Sequence, residues 1–355
     1  MAMFDEVKEQ IDKYPGLVYI IDQLMPYKDK MEELYHYGMV LIGPDSFRQG
    51  EAINIVEYLQ HQGFVLKAIT TKRINRTETE NLFLPTSTCM QCKCLKWWMI
   101  QDSSSAGEFA AAIFYSKTAT KKVSCLKQLN LHKGKSDPLK NTNGVIRHDF
   151  KAINICLNLI HVPDTYGDFF KDTSPFYTIP SIFSIIAGSQ KIELEQELFT
   201  VYLYDQAKSS YVFEKTIYKI KYLLTSGLFK NFKYIDGHSL LHLLQYYKSQ
   251  YLFFEQEVSR EKRHSVFIEG MKKELSQLFK IQDNIIMCAT ECQQKKALFA
   301  ELVKAYNLWE LLFMTTEPTY FIESADSYFT RLAVYNISID TYEQLVVNTT
   351  YLQWK

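Results

Sequence analysis

His161 follows the apolar run Ile153-Asn154-Ile155-Cys156-Leu157-Asn158-Leu159-Ile160 and precedes Val162-Pro163-Asp164. A neutral imidazole in such a place can act as a nucleophile near pH 7, with its other nitrogen held by a carboxylate or a carbonyl. The plain alternative is a polar residue that ends a strand. Upstream, Gly144-Val145-Ile146-Arg147-His148-Asp149-Phe150 carries Arg147. Its guanidinium could hold an anionic group, or it could be a salt-bridged surface arginine. Lys117, Lys121, Lys122, Lys127, Lys133, Lys135 and Lys140 crowd the stretch before it. Such a crowd is either a solvated face or a source of contacts to an anionic ligand.

Metal chemistry is weaker in the pattern. Cys89-x-x-Cys92-x-Cys94 could join a histidine or Cys125 in a tetrahedral zinc site, but no second Cys-x-x-Cys completes it. Cys288 and Cys292 share one helix face, which reads as core packing. His238 and His242 also stand four apart, and a helix start on the surface accounts for them. No metal site is assigned.

The elements that must position these groups alternate early and turn helical late. Residues 4–35 read as helical, interrupted at Pro15-Gly16 and Pro26. Residues 37–42 read as a buried strand closed by Gly43-Pro44-Asp45-Ser46. A helix over 48–62 follows, with Gly63 at its C′ position, then a second strand over 64–69. Residues 109–115 are a third strand or a buried helix, 132–144 a loop, and 153–160 a further strand. From 191 onward the pattern is helical. Leu241, Leu244, Tyr247, Tyr251, Phe254 and Val258 form one expected core stripe, and Phe299, Leu302, Tyr306, Trp309 and Phe313 another.

Composition bounds the function. The chain has 355 residues, 47% apolar and 23% charged, enough apolar surface to offset ordering entropy. Forty basic residues balance forty acidic ones, which argues against a dedicated duplex-nucleic-acid binder. No apolar run is long enough for a membrane span, and the start lacks the pattern of a signal peptide. Seven cysteines, an odd number, favour reduced thiols and a cytoplasmic setting, with non-classical delivery to another cell left open.

Three segments together resemble the nucleoside diphosphate kinase family. They are Ile42-Gly43-Pro44-Asp45, Gly144 to Phe150, and Asn158 to Asp164, in that order and with a helix and strand after the first. The resemblance spans about residues 36–172. It implies an α+β fold, a ferredoxin-like antiparallel sheet with helices, followed here by an all-α helical bundle. The expected domains are a helical extension (1–35), a nucleotide-binding domain (36–185) and a helical domain (186–355). It further implies that His161 accepts the terminal phosphoryl of a nucleoside triphosphate (ATP or GTP, with Mg2+) and passes it to a diphosphate. Arg147 would contact phosphate and Asn158 the sugar hydroxyl. Asn130, near the family's phosphate threonine, Asp164 and Lys135 complete the expected nucleotide-binding set.

The chain also departs from the family. Gly43 replaces a lysine that contacts the terminal phosphate, and Ser124 falls at the position counted for a second arginine. Substitute cations are sought in the lysine crowd, Arg48 and Lys72. Three readings follow: a divergent phosphotransferase, a silent nucleotide-sensing or protein-interaction module, or an enzyme that breaks a different phosphate bond. The helical half is expected to narrow the substrate choice or recruit a protein partner in the first reading, and to bind a protein in the second.

Overall fold

The structure is a computed structural model that describes residues 2–14, 17–83, 97–189, 197–198, 200–201, 212–232, 237–256, 259–291 and 296–351. The chain divides into two compact units, Met1–Ser210 and Tyr211–Lys355.

The first unit is built on four antiparallel strands in the order β2-β3-β1-β4. It opens with α1 (Ala2–Ile11), α2 (Tyr19–Leu24) and a 3-10 helix, Met25–His36. β1 (Tyr37–Ile42) is buried throughout, as its unbroken apolar run requires. The expected single helix over 48–62 is two helices, α3 (Pro44–Gln49) and α4 (Ala52–His61). Gly50 between them takes φ +67°, a left-handed conformation that ends α3. Gly63 has φ +90° one residue past the α4 C-cap and turns the chain into β2 (Val65–Lys72).

α5 (Arg76–Leu82) starts in a capping box of Asn75 with Glu78, and α6 (Trp97–Ser105) ends in Ser103, Ser104 and Ser105. β3 (Phe109–Tyr115) lies centrally, pairing with β1 from Tyr37↔Tyr115 to Ile42↔Ala110 and with β2 on its other side. α7 (Cys125–Lys133) packs onto β1 at Gly38, where a Cβ would stand 2.7 Å from a Leu129 methyl. α7 and a 3-10 turn at Pro138–Lys140 occupy part of the expected 132–144 loop.

The short α8 (Ile146–Asp149) leads to the largest difference from the sequence pattern. Of the expected strand over 153–160 only Ile160 is in a strand, β4 (Ile160–His161). Buried Asn154 is the reason: its Oδ1 accepts from the backbone of Cys156 and Leu157, and the Asn154 N–H donates to the Leu157 carbonyl. That Asx-type turn competes successfully with strand extension. α9 (Tyr166–Thr173) and α10 (Ile179–Ile186) close the unit. Residues of α1, α2 and α10 share one apolar core with the sheet.

Among its described residues the second unit is helical: α11 (Phe213–Asn231), α12 (Gly237–Glu255), α13 (Arg260–Glu291), α14 (Lys296–Met314), α15 (Pro318–Val334) and α16 (Thr341–Tyr351). The buried face of α12 is Leu240, Leu243, Tyr247 and Phe254, rotated from the expected stripe, and Leu241 is exposed. In α14, Leu302, Trp309 and Leu308 are buried, whereas Phe299 and Tyr306 are exposed. A stripe of aromatic residues could not distinguish the two faces, because both carry large apolar groups. Lys221 and Glu274 form a fully buried, hydrogen-bonded ion pair, and the Lys221 ammonium also faces the rings of Tyr218, Tyr247 and Phe267. No helix among the described residues is long and apolar enough to cross a membrane.

Candidate functional site

β1 ends at Ile42, and Gly43 turns the chain into α3. That turn is latched to the residues ahead of His161. The Gly43 N–H and the Ser46 hydroxyl both donate to the Leu159 carbonyl, at 2.7 and 2.8 Å. In return the Leu159 N–H donates to Oδ2 of Asp45 at 2.7 Å. Leu159 needs such a latch, because its φ is +72°, a conformation that costs a leucine roughly 1–2 kcal/mol. The latch also explains Gly43. A Cβ there would stand 2.5 Å from Asp45 Oδ1 and 3.3 Å from the Leu159 carbonyl oxygen. Burial raises Asp45 from 3.8 to about 6, although its backbone hydrogen bonds and Arg147 pull the other way.

Two residues past Leu159, His161 pairs across to Leu41. Its Nε2 lies 2.6 Å from Oδ2 of Asp172, on α9, and the Asp172 side chain is only 1% exposed. Lys171 stands 2.7 Å from the other Asp172 oxygen and donates to the Leu82 carbonyl at 2.8 Å. Thr165 N-caps α9 by accepting from the Asp168 N–H, which sets the helix that carries both groups. The Phe83 ring meets the His161 imidazole edge-on.

Arg147 lies in α8 and is buried. Its guanidinium donates to the carbonyls of Ile160 (2.8 Å), Asn158 (3.3 Å) and Gly134 (3.3 Å). It thereby ties the end of α7 to both sides of Leu159. Burial lowers it from 12.5 to about 10.

These groups line a cavity of about 670 Å3, a size suited to a small-molecule ligand. Of the residues expected from sequence, His161, Arg147, Asn158 and Asp164 line it. Asn130 does not: its amide donates to the carbonyls of Leu126 and Pro163. Lys135 is exposed and also outside the lining, its N–H donating to Asn141. From this loop Ser136 lines the cavity. Ser124 N-caps α7, with Oγ accepting from the Lys127 N–H. Neither Arg48 nor Lys72 lines the cavity; Arg48 donates to the Ala106 carbonyl, and Lys72 pairs with Glu78.

Sequence reasoning missed Asp172, Lys171 and Tyr14, all of which line the cavity, and of the lysine crowd it had named, Lys133 lines it as well. The available signal for Asp172 was a carboxylate within an α9 capped at Thr165, but only the fold turns it toward an imidazole 11 residues earlier. Tyr14 comes from the segment after α1, and its hydroxyl donates to Asp168. Burial, followed by the charge of Asp168, raises Tyr14 to about 12. Cys89, Cys92 and Cys94 lie outside the described residues, and His238 and His242 are exposed. Among the described residues no three histidine, cysteine or carboxylate side chains are grouped to hold a metal ion.

No family model matches the chain. A nucleoside diphosphate kinase of Fervidobacterium nodosum is 25% identical over 139 residues, covering 39% of this chain and 86% of that protein. Among solved structures, the Aquifex aeolicus nucleoside diphosphate kinase aligns with 41% of this chain and 96% of its own, at 16% identity and a TM-score of 0.35. That of Encephalitozoon cuniculi covers 46% of this chain and 98% of its own, at 16% identity and a TM-score of 0.36. With the ordered motifs around Gly43, Arg147 and His161 and the antiparallel sheet that unites them, the chain carries a divergent nucleoside diphosphate kinase-like domain, joined to a helical region.

Proposed function

We propose that this cavity binds a nucleoside triphosphate and transfers its terminal phosphoryl group through His161. The observation that carries the reading is the bond of His161 Nε2 to buried Asp172. It occupies one ring nitrogen and, among the described residues, leaves Nδ1 without a hydrogen-bond partner. Nδ1 is then the nucleophile. Its lone pair forms a bond to the terminal phosphorus as the bridging bond to the next phosphate breaks, and the diphosphate leaves with that electron pair. The reverse step, onto another diphosphate, regenerates free imidazole. Asp172 accepts from Nε2–H throughout and steadies the ring as positive charge develops.

The cavity lining holds four carboxylates (Asp45, Asp164, Asp168, Asp172) against three cations (Lys133, Arg147, Lys171). A polyphosphate would therefore enter with a divalent cation. Mg2+ fits this lining, because it takes most of its ligands from phosphate and water and needs only one or two carboxylates. Asp164, with a side chain 81% exposed, is the residue that would hold it. When bound, the ion neutralises phosphate charge. The helical unit would recruit a protein partner or narrow the choice of acceptor.

One observation favours the silent, nucleotide-sensing alternative: three guanidinium donors of Arg147 are already spent on backbone carbonyls. The deciding experiment incubates the full chain with terminally labelled ATP and Mg2+, beside His161→Ala. Acid-labile label that requires His161, and that moves to added diphosphate, is the expected result. Measurable nucleotide binding with no label would replace catalysis by sensing.

A further inference from the structure

The end of β1 supplies no cation, because Gly43 has no side chain and Asp45 fills the space a Cβ would need. Of the lysines at 117–140, Lys117, Lys121, Lys122, Lys127, Lys135 and Lys140 are exposed and lie outside the cavity. Lys133 differs: it lines the cavity with a side chain only 12% exposed. It sits in the last turn of α7, three residues after Asn130 and hence on the same helix face. Both reach the segment that follows His161, Asn130 at the Pro163 carbonyl and Lys133 at the Val162 carbonyl, 3.1 Å from Nζ.

An ammonium group has three protons to donate. Lys133 places one on Val162. Its acid partner, Asp164, stands 3.6 Å away, beyond hydrogen-bond length, with a side chain 81% exposed. The other two cavity cations are held more firmly. Lys171 has Asp172 at 2.7 Å and the Leu82 carbonyl at 2.8 Å, and Arg147 clamps three carbonyls. Lys133 is thus the cation that can turn toward an anion without breaking a short, buried ion pair.

We infer that Lys133 is the polyphosphate-binding cation of this cavity, delivered from the end of α7 where the end of β1 offers none. The inference rests on the nucleotide reading of the cavity, and its ligand class is a di- or triphosphate chain. Polyphosphate oxygens would take the two remaining ammonium protons.

The test is calorimetric binding of ATP, of adenosine and of inorganic tripolyphosphate to the full chain, comparing wild type with Lys133→Gln, Lys133→Arg and the surface control Lys127→Gln. Loss of a charge-assisted phosphate contact should weaken ATP and tripolyphosphate about tenfold or more in Lys133→Gln and leave adenosine unchanged. Lys133→Arg and Lys127→Gln should stay close to wild type. Lys133→Met, which keeps the aliphatic stem packed, replaces the glutamine variant if that does not fold. Equal binding of ATP by wild type and the neutral variant overturns the assignment. So does an equal loss for ATP and adenosine, which would mark Lys133 as merely structural. A wild-type chain that binds no polyphosphate would overturn the nucleotide reading itself, and this assignment with it.

Discussion

His161 Nε2 lies 2.6 Å from Oδ2 of Asp172, and Asp172 is held from its other side by Lys171 at 2.7 Å. The imidazole comes from a two-residue edge strand, and its orienting carboxylate from the helix that follows. A buried carboxylate against one ring nitrogen fixes the ring plane and the tautomer, which is what a nucleophilic histidine needs.

Asp172→Ala should therefore lower phosphoryl labelling of His161 by on the order of 100-fold or more, because the ring loses both orientation and charge support. Asp172→Glu should recover part of it. Initial rates of labelling at saturating ATP, set beside melting temperature, separate this effect from unfolding. Unchanged rates in Asp172→Ala would remove the carboxylate from the mechanism.

The latch between Asp45 and Leu159 should be visible in stability. Asp45→Ala leaves a buried N–H without its acceptor and a left-handed leucine without its restraint. The expected loss is about 2–4 kcal/mol in urea unfolding. Asp45→Asn retains an acceptor oxygen and should cost less.

The same carboxyl predicts a pH dependence. Its folded value, about 6, lies above the ordinary 3.8, so between these values the folded chain binds a proton that the unfolded chain releases. The stability contributed by this group is fully present below 3.8 and is lost as pH rises through about 6. It amounts to on the order of 3 kcal/mol. Urea midpoints of wild type minus Asp45→Asn, taken from pH 4 to 7, should fall along that curve; a flat difference would contradict it.

Restoring a lysine at the end of β1 should not restore a phosphate contact. Gly43→Lys drives a Cβ to 2.5 Å from Asp45 Oδ1 and loosens the latch on Leu159. A destabilisation of about 1–3 kcal/mol is expected, with no tighter binding of ATP. Tighter binding at unchanged stability would show that Asp45 yields readily.

In the helical unit, Lys221→Met strands Glu274 as a lone buried charge and should cost about 3–5 kcal/mol. Lys221→Met combined with Glu274→Leu should recover most of that loss. Thermal melts of Lys221→Met, Glu274→Leu and the double variant complete a double-mutant cycle that measures the coupling.

The order of elements around the site is legible in the residue pattern. Local signals suffice for β1, β2 and the α4 part of the helix expected over 48–62, because each presents its own apolar run or stripe and its own stop residue, while residues 109–115 leave strand and buried helix open until the sheet decides for β3. Gly63 and the turn at Gly43-Pro44 announce themselves by residue type. His161, Arg147, Asn158 and Asp164 are legible through ordered motifs, and all four line the cavity.

What escapes the pattern is whatever depends on contacts far along the chain. Ile153–Ile160 has the composition of a strand, yet the buried Asn154 side chain pulls most of it into a turn. Asn130 and Lys135 belong to the right segment, but the Asn130 amide is held on backbone carbonyls and Lys135 is exposed beyond the end of α7, whereas the longer Lys133 side chain, on the same helix face as Asn130, reaches the cavity. The exposed Phe299 and Tyr306 show the same limit in α14, where apolar residues on both faces hide the buried one.

The sequence by itself determined which chemistry is present: an imidazole after an apolar run, an arginine upstream, and no lysine at the end of β1. Those are properties of residue types and short spacings. Tertiary structure alone decided how that chemistry is equipped. It brought Asp172 to the imidazole, spent Arg147 on three carbonyls, closed the space at Gly43 with Asp45, and turned Lys133 into the cavity. Each of these depends on the direction of a side chain across packed elements, a quantity that local sequence pattern does not carry.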